Sequence, residues 1–314
     1  MHIGVLFALA AYGAYACGDA IIKGIGPALT PFEIAFWATL PSLLPVLATK
    51  PRDELLRHAL ATKRAFTLSV RGVLGFISAN MVIYAFTHIP LAETYALVFL
   101  TPTFATILAV TVLKEEMTTR RWIGLMLGFA GVMLVVRPGF RELELGHLSA
   151  AGCALFASVA AILLRQVSQT EKRTAIVGYA IIVGLVLNGI IILLTNPRMP
   201  NPEQLGILTI VGLLGGFGHV FIVSAARTAP AAWVAQTQYS QIVWAIVLGA
   251  IFYAEYPQPL TLLGLGVVVL AGLVNFRLER ARTWFGAHPV LFRRRREAHA
   301  KEVAAKQSEP VPGK

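Results

Sequence analysis

Apolar residues run along this chain for about 20 positions at a time, and polar ones gather in the short gaps between the runs. Ten such stretches predict ten helices, at roughly 3–23, 31–49, 68–88, 92–113, 119–136, 147–165, 175–195, 205–226, 230–254 and 259–276. A run of about 20 apolar residues is long enough to cross the hydrocarbon core of a bilayer as a helix. Prolines punctuate the gaps, among them Pro27, Pro51, Pro90, Pro138, Pro197, Pro230 and Pro257. A β-barrel is the other backbone that satisfies itself in lipid, and its strands alternate apolar and polar at every second residue. Val132–Val136 and Gly264–Leu273 do not alternate. The predicted class is an all-α integral membrane protein with ten transmembrane helices.

Charge fixes the expected orientation. An even number of spans puts both termini on one side. With the N-terminus inside, 23 of the 27 Lys and Arg residues fall in inner segments; only Lys23, Arg137, Arg141 and Arg198 fall outside. Cytoplasmic loops carry such an excess, so both termini are expected in the cytoplasm. The first helix has no Lys or Arg before Lys23. It lacks the charged start of a signal peptide and is expected to remain as a span.

Composition agrees with this class. Hydrophobic residues make up 56% of the 314 positions and charged ones 14%, against about 25% charged in soluble domains. Mean hydropathy is +0.69. The net charge of +11 would suggest nucleic acid in a soluble protein, but here the positive-inside pattern accounts for most of it. The run Arg293–Arg296 is expected to sit against anionic lipid headgroups, in a basic cytoplasmic tail over 281–314 that is partly disordered. The two cysteines, Cys17 and Cys153, lie in apolar runs with no metal-ligand spacing.

The chain repeats itself. Residues 84–92 resemble 224–232 at an offset of 140, and the same offset pairs Pro90 with Pro230, Glu115 with Glu255 and Gly124 with Gly264. Lys23 matches Arg165 and Trp37 matches Tyr179 at an offset of 142. Two halves follow, 1–142 and 143–280, each with five helices. Five is odd, so the second half enters the membrane from the opposite side. Such inverted repeats characterise secondary transporters, whose halves rock about a central site.

The block from Asn80 to Gly139 carries a family resemblance. It contains Ile89-Pro90-Leu91-Ala92-Glu93, Phe99-Leu100-Thr101-Pro102, Arg121-Trp122-Ile123-Gly124, Gly128-Phe129-Ala130-Gly131 and Arg137-Pro138-Gly139, with a weaker copy from His219 to Gly272. With the ten-helix plan, the chain resembles the drug/metabolite transporter superfamily, EamA type, over about 1–280. The resemblance implies a 5+5 bundle with a central cavity that moves small metabolites. Many relatives have arginine in a Phe-Trp-Arg context early in the second helix. Here Phe36-Trp37 is followed by Ala38, which weakens any carry-over of an anionic substrate.

Polar residues inside predicted spans are the candidate substrate-binding groups, because ionisable groups in lipid are costly unless they face a cavity or a partner. Asp19 shares a helix face with Tyr15. It either binds a substrate cation or coupling proton, or pairs with Lys23 one turn on. Asn80 and Tyr84, four residues apart, either bind substrate or join helices. The ninth span holds Gln236, Tyr239 and Ser240 within a polar run, part of which is expected to line a wet cavity. His219 lies beside Gly215, Gly216 and Gly218. It is either a titrating or substrate-binding imidazole, or a neutral ring bonded to a carbonyl. Trp37 and Tyr179 line the cavity or pack in the bundle. Pro90, Glu93, Glu115, Pro230 and Glu255 lie at helix ends and suggest structural or gating roles. Gly124, Gly128 and Gly131 could pack helices within the chain or between two copies as a homodimer.

No phosphate loop, HExxH, CxxC or GxSxG is present. No catalytic residue, cofactor or metal is expected, and no nucleic-acid partner. The reading is a secondary transporter of a small organic metabolite (amino-acid-like, vitamin-like or nucleoside-like) in a bacterial inner membrane, with export preferred. A carrier of amphipathic or lipid-linked cargo is the alternative. A membrane-embedded transferase would need paired carboxylates for a metal, and the acidic pairs Asp53-Glu54 and Glu115-Glu116 lie among basic residues.

Overall fold

The computed structural model describes residues 3–48, 61–111, 119–137, 142–167, 170–195, 199–229 and 237–287. All regular structure among them is helical. The helices are α1 (Ile3–Ile25), α2 (Pro31–Ala48), α3 (Ala65–His88), α4 (Leu91–Val98), α5 (Thr101–Thr111), α6 (Thr119–Val136), α7 (Leu145–Val167), α8 (Arg173–Leu194), α9 (Pro202–Thr228), α10 (Ser240–Tyr253) and α11 (Pro259–Ala287). They trace ten spans as two inverted sets of five. Helices α1, α3 and α8 start at one end of the bundle, called proximal here; the opposite end is distal. Large apolar side chains such as Leu44, Leu193, Ile251 and Phe252 are exposed on the outside, as suits a surface facing lipid acyl chains.

The fourth span is not the continuous helix the apolar run suggests. It breaks at Phe99–Leu100 into α4 and α5. Pro102 has no N–H for the Val98 carbonyl one turn back. The Thr101 hydroxyl supplies the missing donor at 2.6 Å. Phe99 then stacks on Tyr239, with ring centroids 5.2 Å apart. Tyr239 is 140 residues further on, at the turn leading into α10, so equivalent points of the two halves meet at the molecular pseudo-twofold axis. The last helix also departs from expectation, running to Ala287 and into the segment read as tail.

Pairing follows the same symmetry. α1 packs on α9 as α7 packs on α3, while α6–α11 and α2–α8 each bring an element onto its own counterpart, and α4 packs on α10, the counterpart of α5. Small residues make these approaches close. A Cβ on Gly131 would lie 2.9 Å from the Gly264 carbonyl oxygen, and one on Gly264 would lie 2.7 Å from that of Gly131. With Gly128 near Ala271, this glycine face serves packing within the chain. Gly216 of α9 sits against the Ser42 carbonyl oxygen and the Pro45 ring of α2. Helices in lipid associate through such close van der Waals contact rather than hydrophobic expulsion.

The symmetry is not complete. α3 packs on both α1 and α2, whereas among the described residues its counterpart α9 has no comparable contact with α7 or α8. Space is left between α2, α8 and α9.

Candidate functional site

That space is a cavity of about 500 Å³ walled by α1, α2, α3, α8 and α9. Its lining is mostly small or apolar: Gly18, Ala35, Ala38, Gly72, Gly75, Ala79, Ala180, Gly184 and Gly215 leave room, and Ile22, Ile34, Ile83 and Val211 close the distal part. Few polar side chains enter it: Tyr15, Asp19, Thr39, Ser42, Arg71, Asn188 and His219. Toward the proximal end it reaches Arg71 and Val177, one to two turns from the starts of α3 and α8.

Asp19 accepts a hydrogen bond from the Tyr95 hydroxyl of α4. It does not pair with Lys23. The Lys23 ammonium instead lies 2.8 Å from Glu255, 2.8 Å from the Ile89 carbonyl oxygen and 3.4 Å from that of Phe86. The other Glu255 oxygen accepts from the Leu91 N–H at 3.1 Å. One ammonium therefore sits at the carbonyl end of α3, and one carboxylate at the N–H end of α4, where helix dipoles favour each charge. Ala254, in the left-handed region at φ 52°, turns the chain back after α10 and aims Glu255 into the bundle. The Tyr253 hydroxyl donates to the Ala20 carbonyl. Together these contacts latch the distal end above the cavity.

Glu93 is buried in the same distal layer, not at an open mouth. Its carboxylate lies 3.0 Å from His147 Nε2 on α7. The Glu144 N–H donates to His147 Nδ1 at 3.2 Å, so Nε2 carries the proton given to Glu93. Nothing in the sequence pattern linked His147 to Glu93. Pro90, Glu93 and Glu255 border a smaller distal hollow of about 140 Å³.

The sequence-selected residues thus divide. Tyr15, Asp19 and His219 line the cavity; Gly218 lets the Tyr15 ring approach to 2.6 Å of where a Cβ would be. Asn80 lies just behind the wall, its amide donating to Asn188 at 3.0 Å. Tyr84 stacks on His88 with centroids 3.8 Å apart. Trp37 meets Phe36 edge-on and packs on the core, as does Tyr239; Tyr179 packs beside Leu68 and Ile176. Ser240 keeps a buried hydroxyl with no partner among the described residues. Gln236, Glu115 and Pro230 lie outside the described residues. Sequence reasoning passed over Arg71 and Asn188. Arg71 is the seventh residue of α3 and lines the cavity near its proximal end.

Among the described residues no group of three or more His, Cys, Asp or Glu forms a metal-binding cluster.

The profile of the EamA-like transporter family matches residues 2–137 and 144–277. The pseudopaline exporter CntI of Pseudomonas aeruginosa is 27% identical over 280 residues, covering 88% of this chain and 97% of that protein. The S-adenosylmethionine uptake transporter of Rickettsia prowazekii is 24% identical over 88% of this chain and 93% of its own length. The riboflavin transporter of Vibrio cholerae is 23% identical over 78% and 81%. A crystal structure superposes with a TM-score of 0.60 at 16% identity, covering 89% of this chain and 97% of that one; it is similar in fold.

Proposed function

The chain belongs to the EamA-like transporter family, and on that premise we propose that it is a secondary transporter moving a small organic metabolite by alternating access. One observation carries this reading: the cavity lies between elements of both halves, and among the described residues an ion-pair latch lies at its distal end and none at its proximal end. An inverted repeat in two different packings is what an alternating-access cycle requires of each of its states. Rocking one five-helix half against the other would release the Lys23–Glu255 latch and close the Arg71 end. The excess of basic residues at the proximal end supports cytoplasmic termini in a bacterial inner membrane, with this state open inward. Tyr15, Asp19 and His219 are the proposed substrate contacts, joined by Arg71 and Asn188. Relatives named as exporter and as uptake transporters favour neither direction.

The test compares metabolites inside and outside bacterial cells expressing the wild type or Asp19→Asn at matched membrane levels. A compound redistributed only by the wild type supports transport, gives its direction and places Asp19 in the route. Equal redistribution by both removes Asp19 from the site. No redistribution by either refutes the reading.

A further inference from the structure

Two side chains of opposite charge stand in the cavity wall with no counter-ion among the described residues. Asp19 has the Tyr95 hydroxyl as its partner, and the cation one turn away, Lys23, is committed to Glu255 and two carbonyls. Arg71 reaches the Ile176 carbonyl oxygen only at 3.5 Å, the outer limit of a hydrogen bond. Its Nε is buried with no partner among the described residues. No ion pair joins Asp19 to Arg71 or to any other described residue. Asp19 is the seventeenth residue of α1 and Arg71 the seventh of α3, and both helices start at the proximal end. At 1.5 Å rise per residue their levels differ by about 15 Å along the bundle.

An uncompensated ion in a membrane bundle is costly and points to a cargo pathway. The internal repeat does not carry these charges in its second copy. The position matching Asp19 in the second half is Ala161, and that matching Arg71 is Val211. Both charges were placed against the symmetry of the fold, at opposite ends of the same cavity. Asn188 lines the wall near the level of Asp19, and Ser42 lines it near the level of Arg71.

We infer that the cavity takes a dipolar solute, with an amine-type cation at Asp19 and a carboxylate or phosphate at Arg71, its charges on the order of 15 Å apart. This deepens the transport reading above and rests on it. A solute of one charge would leave the opposite wall charge unpaired, and a short zwitterion would reach only one of the two.

The test uses the full chain in lipid nanodiscs, dialysed against a small-molecule extract of bacterial cells, with retained compounds identified by mass spectrometry. Asp19→Asn and Arg71→Gln are compared with the charge-keeping Asp19→Glu and Arg71→Lys. Compounds retained by the wild type should carry both an amine and an acidic group. Each neutral variant should lower their retention by about tenfold or more, the scale of one charge-assisted contact. The charge-keeping variants should still bind, which separates loss of charge from loss of fold. Retained compounds with charge of one sign, retention unchanged in either neutral variant, or equal loss in the charge-keeping variants overturns the dipolar assignment and leaves transport standing. No compound retained by the wild type overturns both.

Discussion

Replacing Glu255 by Gln tests whether the distal latch holds the state described here. The Lys23–Glu255 contact is 2.8 Å long, with side chains 12% and 21% exposed. Exposed ion pairs contribute about 0–1 kcal/mol, while truncating one partner of a fully buried pair costs about 3–5 kcal/mol. This pair lies between those limits. Lys23 also retains the Ile89 carbonyl at 2.8 Å, and a glutamine carbonyl can still accept from Leu91. A loss of about 2 kcal/mol follows, which is roughly 30-fold in the balance between latched and released states. The assay places a reporter at Ile22→Cys, in the wall just below the latch, after Cys17 and Cys153 are replaced by Ala. A membrane-impermeant maleimide is added from the distal side. Labelling should quicken by about 30-fold in Glu255→Gln, provided opening is fast relative to labelling. The swap Lys23→Glu with Glu255→Lys should not restore slow labelling, because a carboxylate at 23 would face the carbonyls of Phe86 and Ile89. Labelling unchanged by Glu255→Gln would refute the latch.

Other substitutions probe the frame. Gly216→Leu would drive a side chain into the Ser42 carbonyl, only 2.6 Å from the first added carbon; about 2 kcal/mol or more of stability should be lost, read as earlier thermal aggregation in detergent. His147→Ala removes a buried partner of Glu93 and should cost about 2–4 kcal/mol by the same measure. Thr101→Val strips the Val98 carbonyl of its donor and should cost about 1 kcal/mol. Adding Pro102→Ala should recover it, because a backbone N–H returns; a double variant no more stable than the single one would refute that account.

The spans and their inverted repeat were legible because hydropathy and self-similarity are properties of the linear chain. The division of the polar residues was not. Asp19 and Lys23 lie one turn apart and pair on paper, but the bundle brings Glu255 and two α3 carbonyls to the ammonium. Asn80 finds Asn188 at a separation of 108 residues, and Glu93 finds His147; helical periodicity names a face but not the neighbour across it. Arg71 lies within the span predicted at 68–88, but the apolar run does not say which face of that helix meets a cavity. The break at Phe99 had a signal, Thr101-Pro102, which the apolar run around it masked.

The contact between α2 and α9 sets how freely the halves can shift. Gly212 and Gly216 of one helix face the backbone around Ala38 and Ser42 and the rings of Pro41 and Pro45 on the other. Interlocked side chains would act as teeth, and each would have to leave its rotamer well before the surfaces could slide. Glycine against proline has no teeth. Pro41 and Pro45 inside α2 also remove two of its ladder hydrogen bonds and leave it easier to bend. Under the proposed rocking this joint would act as a smooth bearing with a compliant shaft, leaving the specific polar contacts between the halves, Lys23–Glu255, Glu93–His147 and Asn80–Asn188, to resist the motion.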